Sequence, residues 1–375
     1  MTMVTDLAAV QQVPAVTGGV DTHADVHVAA AIDAVGRELG HREFPTTPAG
    51  YAALLAWLEG FGPLELVGVE GTGMYGAGLT RVLQAAGVAV VEVDRPDRKA
   101  RRFQGKSDPI DAYAAARAAL SRRASGTPKA RTGTVEMIRT LRVARSGAVK
   151  AKAVAWNQLK ALIKTAPEEL RERLRHLDGA ALLDVCAGLR AARGPVPEHG
   201  PHAKRHRPGV LVDPTAACKR SLAVLARRIR VLEAEIADLD DDLEPLIVAT
   251  APTLLAMYGV GLDVAGQLLA TAGDNPDRLR NEAAFAHLCG VAPIPASSGK
   301  TTRHRLNQGG DRHANHALWR IAMTRLRYDP RTREYRDRRA KDQKTNKDII
   351  RCLKRYIARE VHRALMTDLT APSPA

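Results

Sequence analysis

The hydrophobic pattern divides the chain into an alternating α/β half and a helical half. Residues 17–33 form a run of small and β-branched side chains that breaks at Asp33-Ala34-Val35-Gly36, a turn signal. The run reads as one strand or two tightly joined strands, and residues 41–44 are available to pair with it. Residues 47–60 have helical spacing, with Tyr51, Leu54, Leu55 and Leu58 on one face. Residues 64–70 form a short apolar strand, followed by Gly71, Gly73, Gly76 and Gly78. A helix over 79–86 and a buried strand over 88–93 complete a strand–helix–strand–helix–strand order, which predicts an α/β domain.

The pattern then turns helical. Residues 94–106 are basic and loop-like, 107–121 form an Ala-rich helix, and 135–166 form a basic helix with Trp156 and Leu159 among its apolar positions. Residues 194–214 are dense in Pro, Gly, His and basic side chains and read as a linker. After it, Leu222, Leu225, Ile229, Leu232, Ile236, Leu239, Leu243 and Leu246 alternate steps of three and four. That is a heptad seam ending near Pro245, and it predicts a coiled coil within one chain or between subunits. In 254–274, a Gly259-Val260-Gly261 turn between two helices is similar to a helix-hairpin-helix, whose backbone N–H groups can hold a phosphate; a plain tight turn fits equally. Residues 293–310 are a polar loop and 311–366 are helical and very basic. The expected divisions are an N-terminal extension (1–16), an α/β domain (17–134), a basic helical region (135–193), a linker (194–217), a coiled coil (218–250), a mainly α C-terminal domain (251–366) and a tail (367–375).

Charge sharpens this picture. The 375 residues carry a formal net charge of +15, unevenly placed. Residues 1–93 hold 3 basic and 10 acidic side chains, 94–164 hold 18 and 5, and 300–363 hold 20 and 7. Two cationic stretches beside an acidic domain point to a polyanion, most simply nucleic acid. With aromatics at only 4%, single-strand stacking platforms are not expected. No segment approaches 18 continuous apolar residues, so no membrane partner is expected. The start lacks the basic and apolar pattern of a signal peptide, and four scattered cysteines with no C-x-x-C pair indicate neither zinc nor disulfides; a reduced cytoplasmic setting is expected.

Candidate chemistry rests on carboxylates. Asp21 lies within an apolar strand, where its desolvation is costly unless a cation or metal offsets it; a satisfied strand-end Asp is the plainer alternative. Glu70 falls at the C-terminal end of a strand before a Gly-rich turn, where open sheets place their sites, although a solvated strand-end Glu also fits. Pro109 favours the first helical turn, making Asp108 a candidate N-cap with Asp111 three residues on. The same geometry puts both on one side of the helix start, near an incoming cation such as Mg²⁺.

Gly-Val-Asp-Thr-His at 19–23, Val-Glu-Gly-Thr-Gly at 69–73 and Lys-Ser-Asp-Pro-Ile-Asp-Ala at 106–112 together resemble the DEDD transposases of the insertion-sequence-110 family. Ala24 stands where that family often has Lys. The second half is similar as well, through Gly259-Val260-Gly261, Ala284–Pro293, Ser297-Ser298-Gly299-Lys300 and Arg305–Arg312. The resemblance implies an RNase-H-like N-terminal domain, a helical coiled-coil segment and a mainly α transposase domain. It implies that Asp21, Glu70, Asp108 and Asp111 bind Mg²⁺. It also implies a serine nucleophile beside a Gly-Gly-Lys turn. One glycine is missing here, so the role falls on Ser297 or Ser298, with Ser297 preferred.

The implied activity is DNA recombination: a serine hydroxyl attacks a DNA phosphate and forms a phosphoserine intermediate. The implied partners are DNA, a structured noncoding guide RNA and further copies of the chain, as dimer or tetramer. Arg101, Arg102, Lys106, Lys300, Arg303, Arg305 and Arg312 are the expected contacts to nucleic acid. Two rival readings use the same residues: a Mg²⁺-dependent junction-resolving nuclease that employs water, and a non-catalytic nucleic-acid-binding scaffold.

Overall fold

The computed structural model describes residues 15–93, 107–195, 209–299 and 303–371. The expected contacts Arg101, Arg102, Lys106 and Lys300 lie outside the described residues. The chain divides into two compact units, one of 1–133 with 272–287 and 372–375, the other of 134–271 with 288–371.

The first unit is built on a five-stranded sheet. The run at 17–33 is two strands, β1 (Val16–Thr22) and β2 (Val26–Ile32), paired antiparallel. Next come β3 (Glu38–Pro45), α1 (Pro48–Glu59), β4 (Leu64–Glu70), α2 (Ala77–Ala85), β5 (Ala89–Val93) and α3 (Asp108–Leu120). The order is β3-β2-β1-β4-β5; β3 pairs with β2, and β4 and β5 run parallel to β1. Thr47 caps α1, its hydroxyl accepting from the Gly50 N–H at 3.1 Å, and Pro48 follows where no backbone donor is needed.

Alternation along β1 sorts its residues onto two faces. Val16 and Val20 pack with Ala29, Ala31, Val67 and Val69 beneath Leu54 and Leu58 of α1 and Leu79 and Leu83 of α2. Thr17, Gly19 and Asp21 share the opposite face with Val28 and Ala30 of β2, and α3 lies over it through Ala112, Tyr113 and Ala116. The helix comes close because β1 and β4 present glycines. A Cβ at Gly19 would stand 2.2 Å from the Ala112 carbonyl oxygen, and one at Gly68 2.6 Å from that of Ala115.

In the second unit, α4 (Thr134–Lys164) and α7 (Pro214–Thr250) are long helices, about 46 and 55 Å at 1.5 Å per residue. Arg145 pairs with Asp240 and Lys152 with Glu233, so seven steps up one helix match seven down the other and the two run antiparallel. Along the heptad seam, Leu222, Ile229, Ile236 and Leu243 are buried, and Leu222 and Ile229 share a core with Leu159 and Ile163 of α4. That core also takes Leu170 and Leu174 of α5 (Glu168–Leu174) and Leu182 and Leu183 of α6 (Gly179–Ala187). The helix runs through Pro245 to Thr250 rather than ending there.

The remaining elements are α8 (Pro252–Leu255), α9 (Leu262–Ala272), α10 (Glu282–Leu288), a two-stranded ribbon of β6 (Ile294–Pro295) and β7 (His304–Arg305), α11 (Arg312–Tyr328), α12 (Pro330–Lys341) and α13 (Asn346–Thr370). Asp368 of α13 accepts from the N–H groups of Thr253 and Leu254 in α8, at 3.0 and 2.9 Å. Asp263 of α9 is bound by Arg142 of α4 at 2.9 Å and by Arg320 of α11. Among the described residues no helix is long and apolar enough to cross a membrane, and all four cysteines are free thiols.

Candidate functional site

β1 carries Asp21 to its C-terminal end, buried, on the face covered by α3. Two residues further on, His23 keeps the same side of the chain by the period of two. Its Nε2 lies 3.2 Å from Asp21 Oδ2 and 3.5 Å from Asp108 Oδ1. Asp21, His23 and Asp108 thus offer three ligand atoms all within 4.8 Å of one another.

Asp108 and Asp111 come from the first turn of α3. The cap is Ser107, not Asp108, and Ser107 makes no side-chain capping bond. Pro109 fits because the first helical N–H groups have no partner to lose. Asp108 is therefore not tied up as a cap. Asp111 is buried and close enough to act electrostatically on Asp21. Burial raises the Asp21 carboxyl above its ordinary value; His23 pulls it down, while Asp111 and Asp108 push it further up.

Glu70 ends β4, the parallel neighbour of β1. The register pairs Gly19 with Gly68 and Val20 with Val69, so Asp21 and Glu70 are the next residues on adjacent strands and fall on the same face. The Thr22 hydroxyl donates to the Glu70 carbonyl at 2.8 Å and ties the two strand ends together. Gly71 then turns the chain away with φ +70°. Asp111 and Glu70 flank the tight Asp21–His23–Asp108 group without belonging to it. A further acid on β5, Glu92, is engaged elsewhere, accepting from the Thr72 hydroxyl at 2.8 Å and facing Arg278 at 3.7 Å.

An open cleft of about 520 Å³ borders the cluster, lined by His23, Asp25, Glu43, Tyr75 and Asp108 among others. Its carboxylates would repel a phosphodiester unless a cation stood between them. The donor set suits one: carboxylate oxygens are ligands of hard divalent ions, and the two carboxylates already converge on a single nitrogen. His23 was absent from the carboxylate set expected from sequence. The signal for it is Asp-x-His at the end of a strand, where the period of two brings both side chains to one side.

In the second unit, Ser297 and Ser298 are both exposed in the segment between β6 and β7. Ser297 Oγ accepts from the Arg303 N–H at 3.1 Å and lies 3.4 Å from its carbonyl oxygen, which fixes the hydroxyl against the ribbon. Gly299 follows at φ +54°, in the left-handed region. Arg303, Arg305 and Arg312 are exposed. Asp311 caps α11, accepting from the N–H groups of His313 and Ala314 at 2.8 and 3.2 Å, and takes a hydrogen bond from the Thr271 hydroxyl at 2.8 Å.

Two family models match the chain. The DEDD IS110 model, described as a transposase, covers residues 18–166, and that of the transposase IS116/IS110/IS902 family covers 251–337. An uncharacterized 42 kDa protein of insertion element IS900 from Mycobacterium paratuberculosis is 28% identical over 137 residues, 36% of this chain and 34% of that protein. An uncharacterized 43.6 kDa protein of insertion element IS110 from Streptomyces coelicolor is 33% identical over 131 residues, 35% of this chain and 31% of that protein. The alignments thus span about a third of each relative.

Proposed function

We propose, from the match of two IS110-family transposase models to residues 18–166 and 251–337, that the chain is the recombinase of a mobile element, cutting and rejoining DNA through a phosphoserine. The observation that carries this reading is the meeting of Asp21, His23 and Asp108 at one point, with Asp111 and Glu70 beside it. We read the first unit as RNase-H-like; support comes from its sheet order and from acids at the C-terminal ends of parallel strands. The antiparallel pair of α4 and α7 supports a coiled coil within the chain, and the half-buried Leu232, Leu239 and Leu246 leave room for one between subunits.

Asp21 and Asp108 would hold Mg²⁺, with Asp111 and Glu70 as further oxygen donors. When bound, the ion would neutralise charge on the scissile phosphate and the leaving oxygen. His23 orients the two carboxylates. In the second unit Ser297 is the better candidate nucleophile, because its hydroxyl is already positioned by Arg303. Its Oγ bonds to phosphorus as the bond to the leaving DNA oxygen breaks; the serine loses its proton and the leaving oxygen gains one. The phosphoserine ester keeps the energy of the broken phosphodiester for rejoining. The exposed Arg303, Arg305 and Arg312 would grip DNA backbone. A structured noncoding RNA would supply target readout by base pairing, which asks of the protein only backbone contacts.

A denaturing gel tests the reading. Protein incubated with labelled cognate element DNA, the adjoining RNA and Mg²⁺ should give a covalent protein–DNA band that Ser297→Ala and Asp21→Asn each remove and EDTA prevents. The acidic cluster lies wholly within the first unit and could equally activate water, so a junction-resolving nuclease is the second reading. Full cleavage by a Ser297→Ala/Ser298→Ala variant with no adduct would establish that reading instead.

A further inference from the structure

The chain has three tryptophans. Trp57 packs between Phe44 and Phe61, and Trp156 is half-buried beside Lys160. Trp319, on α11, is the exception, with 41% of its surface exposed. A single exposed apolar side chain is ordinary, but Trp319 adjoins exposed Met323 one turn on, and a continuous apolar patch marks a place where something binds.

Its surroundings say what. Arg312, His316, Trp319, Met323 and Arg327 follow steps of four, three, four and four, so they fall within one narrow arc of the helix. All five are exposed, in a stripe about 22 Å long. The whole of α11 contains no carboxylate. His316 stacks on Trp319 with ring centroids 5.4 Å apart and planes 26° apart, which holds the indole in one orientation. The stripe is therefore an oriented aromatic and thioether surface with an arginine at each end.

We propose that this stripe is a stacking site for an unpaired nucleobase, with Trp319 as the platform and Arg312 and Arg327 on the phosphates to either side. The charge selects a polyanion, and the central apolar pair selects a ligand that also has a flat apolar face. An unpaired nucleotide has both; a duplex hides its base faces. Sparse aromatics exclude a row of such platforms, and one is enough to hold a base turned out of a strand. The inference rests on the nucleic-acid reading above and adds to it a class of ligand, an unstacked base, and a residue to receive it.

The test is binding in EDTA, which needs neither the carboxylates nor the serine, so a failure of the catalytic mechanism would leave its outcome intact. Fluorescence anisotropy would compare two labelled oligomers of equal length, one of single-stranded DNA and one abasic with the same phosphates. Trp319→Ala should weaken the first about 5- to 150-fold and leave the second unchanged, while Trp319→Phe keeps most of the affinity. Arg312→Ala/Arg327→Ala should weaken both and lower the salt slope by about 1.4. Unchanged melting of each variant would show that it folds. No loss with Trp319→Ala, or an equal loss on both strands, would overturn the proposal. So would dissociation of an oligomer by Trp319→Ala with strand affinity intact, which would make the stripe a contact between copies of the chain.

Discussion

Gly19 and Ala112 are too close for a side chain to stand between them: a methyl group on Gly19 would lie 2.2 Å from the Ala112 carbonyl oxygen and 2.2 Å from the Ala116 nitrogen. Both obstacles are backbone, so a rotamer change cannot relieve the clash. Gly19→Ala should force α3 off the sheet, at a cost of about 3 kcal/mol or more. Because α3 carries Asp108 and Asp111, metal-dependent activity should fall further than stability alone explains. Gly147→Ala is the control. It sits in the middle of α4 with nothing within 4 Å of the added methyl, and should stabilise by about 0.5–1 kcal/mol. Urea melts of both variants check the pair; a benign Gly19→Ala would mean that α3 does not need its close seat.

Asp21 is buried beside two other carboxylates, so its charge destabilises the metal-free fold. Asp21→Asn should therefore melt at or above the parent temperature in EDTA. With Mg²⁺ the order should reverse. At ten times its Kd an ion binding only the folded protein adds about 1.4 kcal/mol, a gain the variant should lack. Melting curves with and without Mg²⁺ decide it, and a parent protein indifferent to Mg²⁺ and Mn²⁺ would remove the metal from the account.

Much of this was legible in the residues. Runs of small and β-branched residues bounded by turn signals located β4 and β5 within a residue and the stretch of β1 and β2, because strands buried on both faces read as continuous apolar runs; the largely exposed β3 begins three residues before the expected 41–44. Asp21 and Glu70 were legible as strand-end acids. What could not be read was which strands adjoin. β4 lies beside β1 and so brings Glu70 next to Asp21, a matter of crossover connections rather than local sequence. His23 was overlooked because Asp-x-His at a strand end is a weak signal by itself; it gains weight only when Asp108 arrives from α3. The heptad seam was plain, but the seam does not name its partner, and α4 supplies that from far away in sequence, 95 residues in the case of Arg145 and Asp240.

Asp263 gathers Arg142 and Arg320 from α4 and α11. Burial would raise its carboxyl, but the arginines outweigh this and hold it below the ordinary carboxylate range. Between the folded and unfolded pKa values the unfolded chain binds more protons. The contribution to stability is thus complete above about pH 4 and lost as pH falls through the folded value. Asp263→Asn leaves Arg142, with 15% of its side chain exposed, without its counter-charge. A loss of about 1–3 kcal/mol is expected at pH 7, less than for a fully buried pair because 38% of the Asp263 side chain is exposed. Urea melts at pH 7 and pH 3 should show the difference between variant and parent shrinking in acid; a constant difference would mean that packing, not charge, is what the substitution removes.

Asp21 and Ser297 belong to different compact units of the chain, so the proposed reacting pair can be drawn from one subunit or from two. We expect two, with one subunit's serine serving another's carboxylates. The double variant Ser297→Ala/Ser298→Ala keeps its carboxylates and Asp21→Ala keeps its serines, and each alone should be inactive. If the assembly is a twofold dimer, mixing them in equal amounts makes about half the dimers mixed, each with one complete composite site of two. Strand transfer should then return to about a quarter of the parent level, once subunits have exchanged. If both groups act within one chain, every site in the mixture lacks one of them, and no ratio of the two variants will restore activity.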